Sequence, residues 1–302
     1  MGDNVSKNIV VAIAGPTAVG KTSISIEVAR ALDTEIVSAD SRQIYRQMTI
    51  GTAKPTTDEL AQVGHHFIDT IDITQPYTAG DFERDALKTI SQLHEEKHYV
   101  VMSGGSGLYH KAVLEGFDDF PSTSGEDRDK WQQIMDIDGI SELQNALRKR
   151  DPEYAAVVDL QNAPRLIRAL SVIDVSGQPF STFLNKARAA RPFHAVRIFL
   201  NIERDILYQR INARVDQMLA DGLVAEVTSL LPYRDLQALQ TVGYKEIFKH
   251  LDGEWSLDEA VSKIKQHSRN YAKRQVTWYR NQGEWKEVAA DVDDVLRLIR
   301  SQ

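Results

Sequence analysis

The sequence predicts an α/β fold, a parallel sheet flanked by helices with a helical domain inserted before its later strands, and three observations carry that expectation. A glycine-rich stretch, Gly15-Pro16-Thr17-Ala18-Val19-Gly20-Lys21-Thr22, lies between a β-branched apolar run and a helical repeat. Short continuous apolar runs recur at 35–39, 99–102 and 196–200, as strands covered on both faces do. From Asp118 onward the composition turns polar and helical over 119–194, opening at Pro121-Ser122-Thr123-Ser124-Gly125 and closing at Arg191-Pro192.

Taken in order, the run from Asn8 to Ala14 reads as a buried strand entering the glycine-rich loop. After Thr22, Ile24, Val28 and Leu32 recur at a spacing of four, which places them on one face of a helix. Strand, loop and helix stand in the order that makes G-x-x-x-x-G-K-[S/T] a phosphate cradle, so the core is expected to be P-loop NTPase-like. Gly15 and Gly20 are expected to take positive φ, turning successive N–H groups toward phosphate oxygens. The helix N-terminus adds its dipole, Lys21 a charge for the terminal phosphate, and Thr22 a hydroxyl for a magnesium ion. The alternative is an ordinary glycine-rich βα turn, and the loop alone does not say which phosphate compound it holds.

The strand Glu35–Ala39 delivers Asp40-Ser41-Arg42-Gln43 to the carboxyl edge of the sheet, where open α/β folds place ligands. Asp40 is therefore a site candidate, with turn capping as its structural alternative. Tyr45 to Pro55 reads as a loop in which Lys54 reaches a phosphate or solvent, and the adjacent His65 and His66 point to opposite sides, which favours a structural role over chelation. A loop over 69–78 precedes a helix over 79–94 carrying Phe82, Leu87, Ile90 and Leu93. The strand Tyr99–Met102 runs into Ser103-Gly104-Gly105-Ser106-Gly107-Leu108-Tyr109, small residues that let a ligand approach the backbone. It lacks the acidic pair with which an ATPase holds magnesium and water. After the insertion, Val196–Leu200 resumes the sheet and a helix with Tyr208, Ile211 and Val215 follows.

Composition narrows the function. The absence of cysteine in 302 residues excludes disulfides, zinc–thiolate sites and cysteine nucleophiles, and makes the cytoplasm the expected compartment. No apolar run approaches the ~20 residues of a membrane span. Met1-Gly2-Asp3-Asn4-Val5-Ser6 formally fits a myristoylation pattern, but Asp3 is acidic and one acyl chain without a basic patch anchors weakly. A net charge of −7 argues against nucleic acid, yet between Val261 and Gly283 stand Lys263, Lys265, Arg269, Lys273, Arg274 and Arg280 with no acidic residue, interleaved with Tyr271, Trp278 and Tyr279. Such a stretch suits phosphate contact and base stacking; a solvated helix face is the alternative.

Several stretches in order along nearly the whole chain resemble one family, the tRNA dimethylallyltransferases (tRNA isopentenyltransferases). They are Gly15–Thr22, Ser38–Tyr45, Ile50–Pro55, Gly104–Tyr109, Pro164–Leu170, Met218–Val227, Val242–Glu246 and Lys273–Trp278. The resemblance implies transfer of a dimethylallyl group from dimethylallyl diphosphate to N6 of the adenosine just 3′ of the tRNA anticodon. It implies that the loop binds a diphosphate leaving group with magnesium and that Asp40 takes the N6 proton as general base. Thr17, Lys21 and Arg214 would act on the diphosphate. Ser41, Arg42, Gln43, Ser106, Pro164, Arg165, Leu166, Ile167, Arg168, Gln240, Thr241, Val242, Gly243, Tyr244 and Lys245 would contact tRNA, with the inserted domain closing over the anticodon stem-loop of a monomeric enzyme. The chain departs from the family pattern at Ser106, where threonine is usual, at Gln161-Asn162 in place of Asn-Asp, and at Ser171 in place of glutamate. A P-loop small-molecule or nucleotide kinase and a non-catalytic P-loop RNA-binding protein are the competing expectations.

Overall fold

The computed structural model describes residues 8–118, 120–184 and 190–301; the Met1–Ser6 pattern lies outside them. The larger of two compact units, residues 1–115 with 191–302, is built on a six-stranded sheet. Its strands are β1 (Ile9–Ala14), β2 (Ile36–Ser38), β3 (His65–His66), β4 (Tyr99–Gly104), β5 (His194–Asn201) and β6 (Lys286–Ala289). They run parallel in the order β3-β2-β4-β1-β5-β6.

Alternation along the strands builds two core layers. Val11, Ile13, Val101 and Ile198 face Ile24, Val28 and Ala29 of the helix Lys21–Ala31, with Val295 and Ile299 of the helix Val292–Arg300. Val10, Ala12, Val37, Val100 and Met102 face Phe82, Ala86 and Ile90 of the helix Ala79–Leu93, and Tyr109 and Val113 of the helix Gly107–Glu115. Each fully buried Ile or Phe contributes about 1.5–3 kcal/mol of transfer free energy. β6 was not foreseen, because Lys286-Glu287-Val288-Ala289 is an edge strand exposed along most of its length and leaves no apolar run to read.

The second unit is Gly116–Ala190. Its helices Gly125–Asp138, Ile140–Arg150 and Ala163–Ser176 enclose Trp131, Leu143, Leu147, Leu166, Leu170 and Phe180. Composition set the boundaries at 119, itself outside the described residues, and 194. His194 instead opens β5, and the return into the larger unit is made by Arg191, which donates to Glu83 Oε1 at 2.5 Å and to the Ala112 carbonyl at 2.7 Å. Among the described residues no helix is long and apolar enough to cross a membrane.

β2 and β4 meet closely at their carboxyl ends: a Cβ on Gly104 would stand 2.0 Å from the Ala39 carbonyl oxygen. Gly104→Ala is expected to destabilise the fold by about 3 kcal/mol or more, beyond ordinary overpacking because backbone cannot move aside as a side chain can. A lowered urea midpoint or an insoluble chain is the expected reading; a midpoint equal to wild type would refute this contact.

Candidate active site

Three loops leave the carboxyl edge side by side, after β1, β2 and β4. In the first, Gly20 caps the helix Lys21–Ala31 at φ 105° without a side-chain cap, and an uncapped helix N-terminus favours an anion. The other left-handed residue is Ala18, φ 64°, not Gly15. Gly15 is required for a different reason: a Cβ there would meet the Leu200 carbonyl oxygen at 2.9 Å. Lys21 Nζ donates to the carbonyls of Gly15 at 3.0 Å and Pro16 at 2.9 Å. Burial, reinforced by the Arg214 guanidinium and opposed by Asp40, lowers its pKa to about 8. Val19 is fully buried with its N–H on the Pro16 carbonyl at 3.3 Å; its side chain anchors the loop to the core.

Asp40 both caps a turn and faces the site. Its Oδ1 accepts from the N–H groups of Arg42 at 2.9 Å and Gln43 at 3.3 Å. The same residue lines a small cavity of about 50 Å³ with Lys21 and Thr22, and a larger one of about 740 Å³ with Thr17, Arg214, Tyr271 and Arg274. Arg214, on the helix Arg204–Ala220, donates to Thr17 Oγ1 at 3.3 Å and to the Ala53 carbonyl at 3.4 Å. The Ser106 hydroxyl accepts from the Ser41 N–H at 2.9 Å and donates to Ser41 Oγ at 3.1 Å, so the hydroxyl is used where threonine is usual. Gln43 Nε2 donates to the carbonyls of Thr52 and Ala53, both at 3.1 Å. Gln240, Thr241, Val242, Gly243 and Lys245 also line the larger cavity.

Other expected residues lie elsewhere. Tyr244 is fully buried, its hydroxyl on Glu226 Oε1 at 2.6 Å and its ring where a Cβ on Gly51 would stand; it supports the cavity wall and offers RNA no surface. In the helical unit Leu166 and Ile167 belong to the core, which leaves Pro164, Arg165 and Arg168 exposed. The departures there are structural: Asn162 caps the helix Ala163–Ser176, and Ser171 bonds the carbonyls of Ile167 and Asp127. Lys54 reaches neither phosphate nor solvent, since its ammonium is held by Asp69 and the Tyr45 carbonyl. His66 pairs with Glu35 at 2.8 Å and His65 with the Val63 carbonyl. The small residues after β4 admit this chain's own atoms: Ala39 at Gly104, Gln275 at Gly105 and Trp278 at Gly107.

On the helix Leu257–Arg280 much of the basic run is engaged internally. Lys265 pairs with Asp216 at 2.6 Å, Arg269 bonds Asn212 at 2.7 Å and Arg280 meets Glu287. Lys273 and Arg274 carry no ion pair among the described residues, but they diverge. Arg274 lies over the Tyr271 ring in the larger cavity, whereas Lys273 lies over Tyr208 in a separate groove, as successive positions about 100° apart on a helix must.

A parallel sheet whose first loop has the form of an anion cradle, with a carboxylate set across from it, defines a P-loop enzyme that acts on a phosphorylated substrate. The chain belongs to the IPP transferase family, whose model matches residues 43–282. It is 47% identical over 297 residues to the tRNA dimethylallyltransferase of Christiangramia forsetii, covering 98% of each chain. It is 43% identical over 279 residues to tRNA dimethylallyltransferase 1 of Bacteroides fragilis, covering 92% of each. Among solved structures, the tRNA isopentenylpyrophosphate transferase of Bacillus halodurans superposes with a TM-score of 0.70 at 39% identity, over 98% of this chain and 94% of that one. A eukaryotic dimethylallyltransferase acting on tRNA superposes with a TM-score of 0.80 at 26% identity, over 94% and 74%. Family membership makes the chain a transferase and sets aside the kinase and the non-catalytic RNA binder.

Sequence reasoning missed two polar residues that hold the site. Gln275 bridges two of the loops. Glu226 accepts from the N–H groups of Thr49 at 3.0 Å, Ile50 at 2.7 Å and Gly51 at 3.0 Å, besides Tyr244. A carboxylate separated by more than 170 residues from three of its four partners has no local signature; only its place in the Met218–Val227 stretch pointed to it. Glu226→Ala removes the acceptor for all four donors and is expected to destabilise the protein by about 2–4 kcal/mol in urea denaturation. A loss under about 0.5 kcal/mol would show that water replaces the carboxylate without penalty.

Proposed function

We propose that this chain transfers a dimethylallyl group from dimethylallyl diphosphate to N6 of the adenosine immediately 3′ of the anticodon in tRNA. The observation that carries the reading is the placement of Asp40 between two openings, one beside the phosphate loop and one beside an aromatic and basic helix. In that geometry the N6 nitrogen attacks C1 of the donor, the C1–O bond breaks toward the loop, and Asp40 takes the proton that N6 loses. Lys21, Thr17 and Arg214 stabilise the charge growing on the departing diphosphate. Tyr271 and Arg274 give the extruded base and its backbone a stacking face and a cation. Exposed Arg165 and Arg168 are proposed as tRNA contacts of the helical unit.

The residues fit magnesium bound chiefly through substrate. Among the described residues no three acidic or histidine side chains group to hold an ion, while Thr22 offers a hydroxyl beside Lys21 and Asp40. Mg²⁺ commonly binds in this way, through phosphate oxygens and water with few protein ligands, and it would supply charge to the diphosphate. The cysteine-free composition supports work in the cytoplasm.

Purified protein given unmodified tRNA, dimethylallyl diphosphate and magnesium without ATP is expected to release diphosphate in step with prenylated adenosine, detected by nucleoside mass analysis. Asp40→Asn is expected to slow transfer by about 10²–10⁴-fold with tRNA affinity changed only a few fold. Product formed only when ATP is added, or unaltered transfer by Asp40→Asn, would overturn the reading.

The lowered pKa of Lys21 yields a separate expectation. With a pKa of about 8 the ammonium is partly neutral at pH 8, and a bound diphosphate favours its charged form. Binding should therefore take up about half a proton at pH 8 through this residue, and affinity should weaken as pH rises beyond that. Calorimetry with inorganic diphosphate in buffers of different ionisation enthalpy measures the uptake as the difference between wild type and Lys21→Met. Equal uptake by the two proteins would show that Lys21 is fully charged before binding.

A further inference from the structure

We propose that Gln275 is a positioning residue for the transfer reaction, setting the spacing between the loop that grips the diphosphate and the loop that carries Asp40. Gln275 stands on the helix Leu257–Arg280, 6% exposed. Its Oε1 accepts from the Thr17 N–H at 2.9 Å and its Nε2 donates to the Gly105 carbonyl at 2.9 Å. One amide thus joins the loop after β1 to the loop after β4.

The second loop is shaped to receive it. A Cβ on Gly105 would lie 2.6 Å from Gln275 Nε2, and one on Gly107 would lie 2.4 Å from the Trp278 ring. Positions 275 and 278 share a helix face, so two glycines accommodate two side chains of that face. From Gly105 the linkage passes directly to the base: the Ser106 N–H donates to the Ala39 carbonyl at 3.1 Å, and the Ser106 hydroxyl holds Ser41. Ala39 and Ser41 flank Asp40 on both sides.

On the other side, the bond to Gln275 occupies the Thr17 N–H. Thr17 therefore presents its hydroxyl to the diphosphate, the same hydroxyl that Arg214 contacts. The geometry makes Gln275 the brace between leaving group and base, where an error near 1 Å can change the rate by about 10²-fold. Tyr271 and Arg274, on the same helix, line the larger cavity, so the element that seats the RNA is the one that holds the brace.

The inference rests on the transferase reading, and its test separates the two. Gln275→Met keeps the shape and removes both hydrogen bonds; it is expected to lower kcat by about 10–10²-fold with the KM for tRNA within about threefold. Gln275→Glu provides a readout that packing alone would not move. An ionised carboxylate accepts from Thr17 but cannot donate to the Gly105 carbonyl, whereas the protonated acid does both, as the amide does. Burial raises the pKa of such a carboxyl, and the Lys21 ammonium, whose Nζ stands 3.9 Å from where a Cβ on Gly105 would be, opposes it to the extent that Lys21, with its own pKa lowered to about 8, is charged. The ratio of Gln275→Glu to wild-type single-turnover rates, per folded molecule, is therefore expected to rise about tenfold from pH 8.5 to pH 6, while the Gln275→Met ratio stays low throughout. A Gln275→Glu ratio independent of pH, or a folded Gln275→Met protein at wild-type kcat, overturns the role of Gln275 with the transferase reading intact. A wild type without transfer activity removes both.

Discussion

The approach of Gly104 to the Ala39 carbonyl governs the rest of the carboxyl edge. Adjacent parallel strands ordinarily keep their backbones one ladder spacing apart; at this point a glycine lets the chain leaving β4 fold across the chain leaving β2. Asp40 and Gly105 are the next residues on the two chains. Their loops are launched from one point, and the polar groups they carry can be tied across a few ångströms by Ser106 and Ser41. A bulkier residue at 104 would force the two chains apart, and the loops could no longer start from one point.

The site also stores electrostatic tension. Lys21 and Arg214 are both withdrawn from water, which is the main cause disfavouring charge at each; the Arg214 guanidinium further disfavours the Lys21 ammonium, and Asp40 opposes the effect at both. Such an arrangement works against folding and favours an anion, because a ligand carrying two or more negative charges relieves repulsion that the protein has already set in place. Backbone carbonyls of Gly15 and Pro16 hold the ammonium meanwhile.

What the sequence made legible was whatever has a local signature. The β-branched runs located the central strands, the phosphate loop identified itself by its flanks, and Asp40 stood out because it ends a strand. The bridges were not legible. Gln275 lies 258 positions from Thr17, in a basic run read for phosphate contact and base stacking with a solvated face as the alternative, and nothing local distinguishes a glutamine that turns inward. The glycines after β4 announced a close approach without saying to what, and the occupants proved to be Ala39, Gln275 and Trp278. Tyr244 sat in a stretch whose other expected members line the larger cavity, yet its ring fills the space that Gly51 leaves. Lys273 and Arg274, read together, separate because adjacent helix positions face different directions.

The connection between β4 and β5 has a consequence for how the chain is made. Both strands pair with β1, yet the whole unit Gly116–Ala190 is synthesised between them. A nascent chain therefore carries a half-finished sheet, with one edge of β1 unpaired, while the intervening helices emerge and close their own core. The entropy of joining the ends of such an insertion grows only logarithmically with its length, by about 0.6 kcal/mol per doubling, and Arg191 clasps the returning end to Glu83 and Ala112. Lengthening or shortening the insertion over evolutionary time would thus leave the sheet nearly as stable, while the interval during which β1 stands exposed on the ribosome would change in direct proportion.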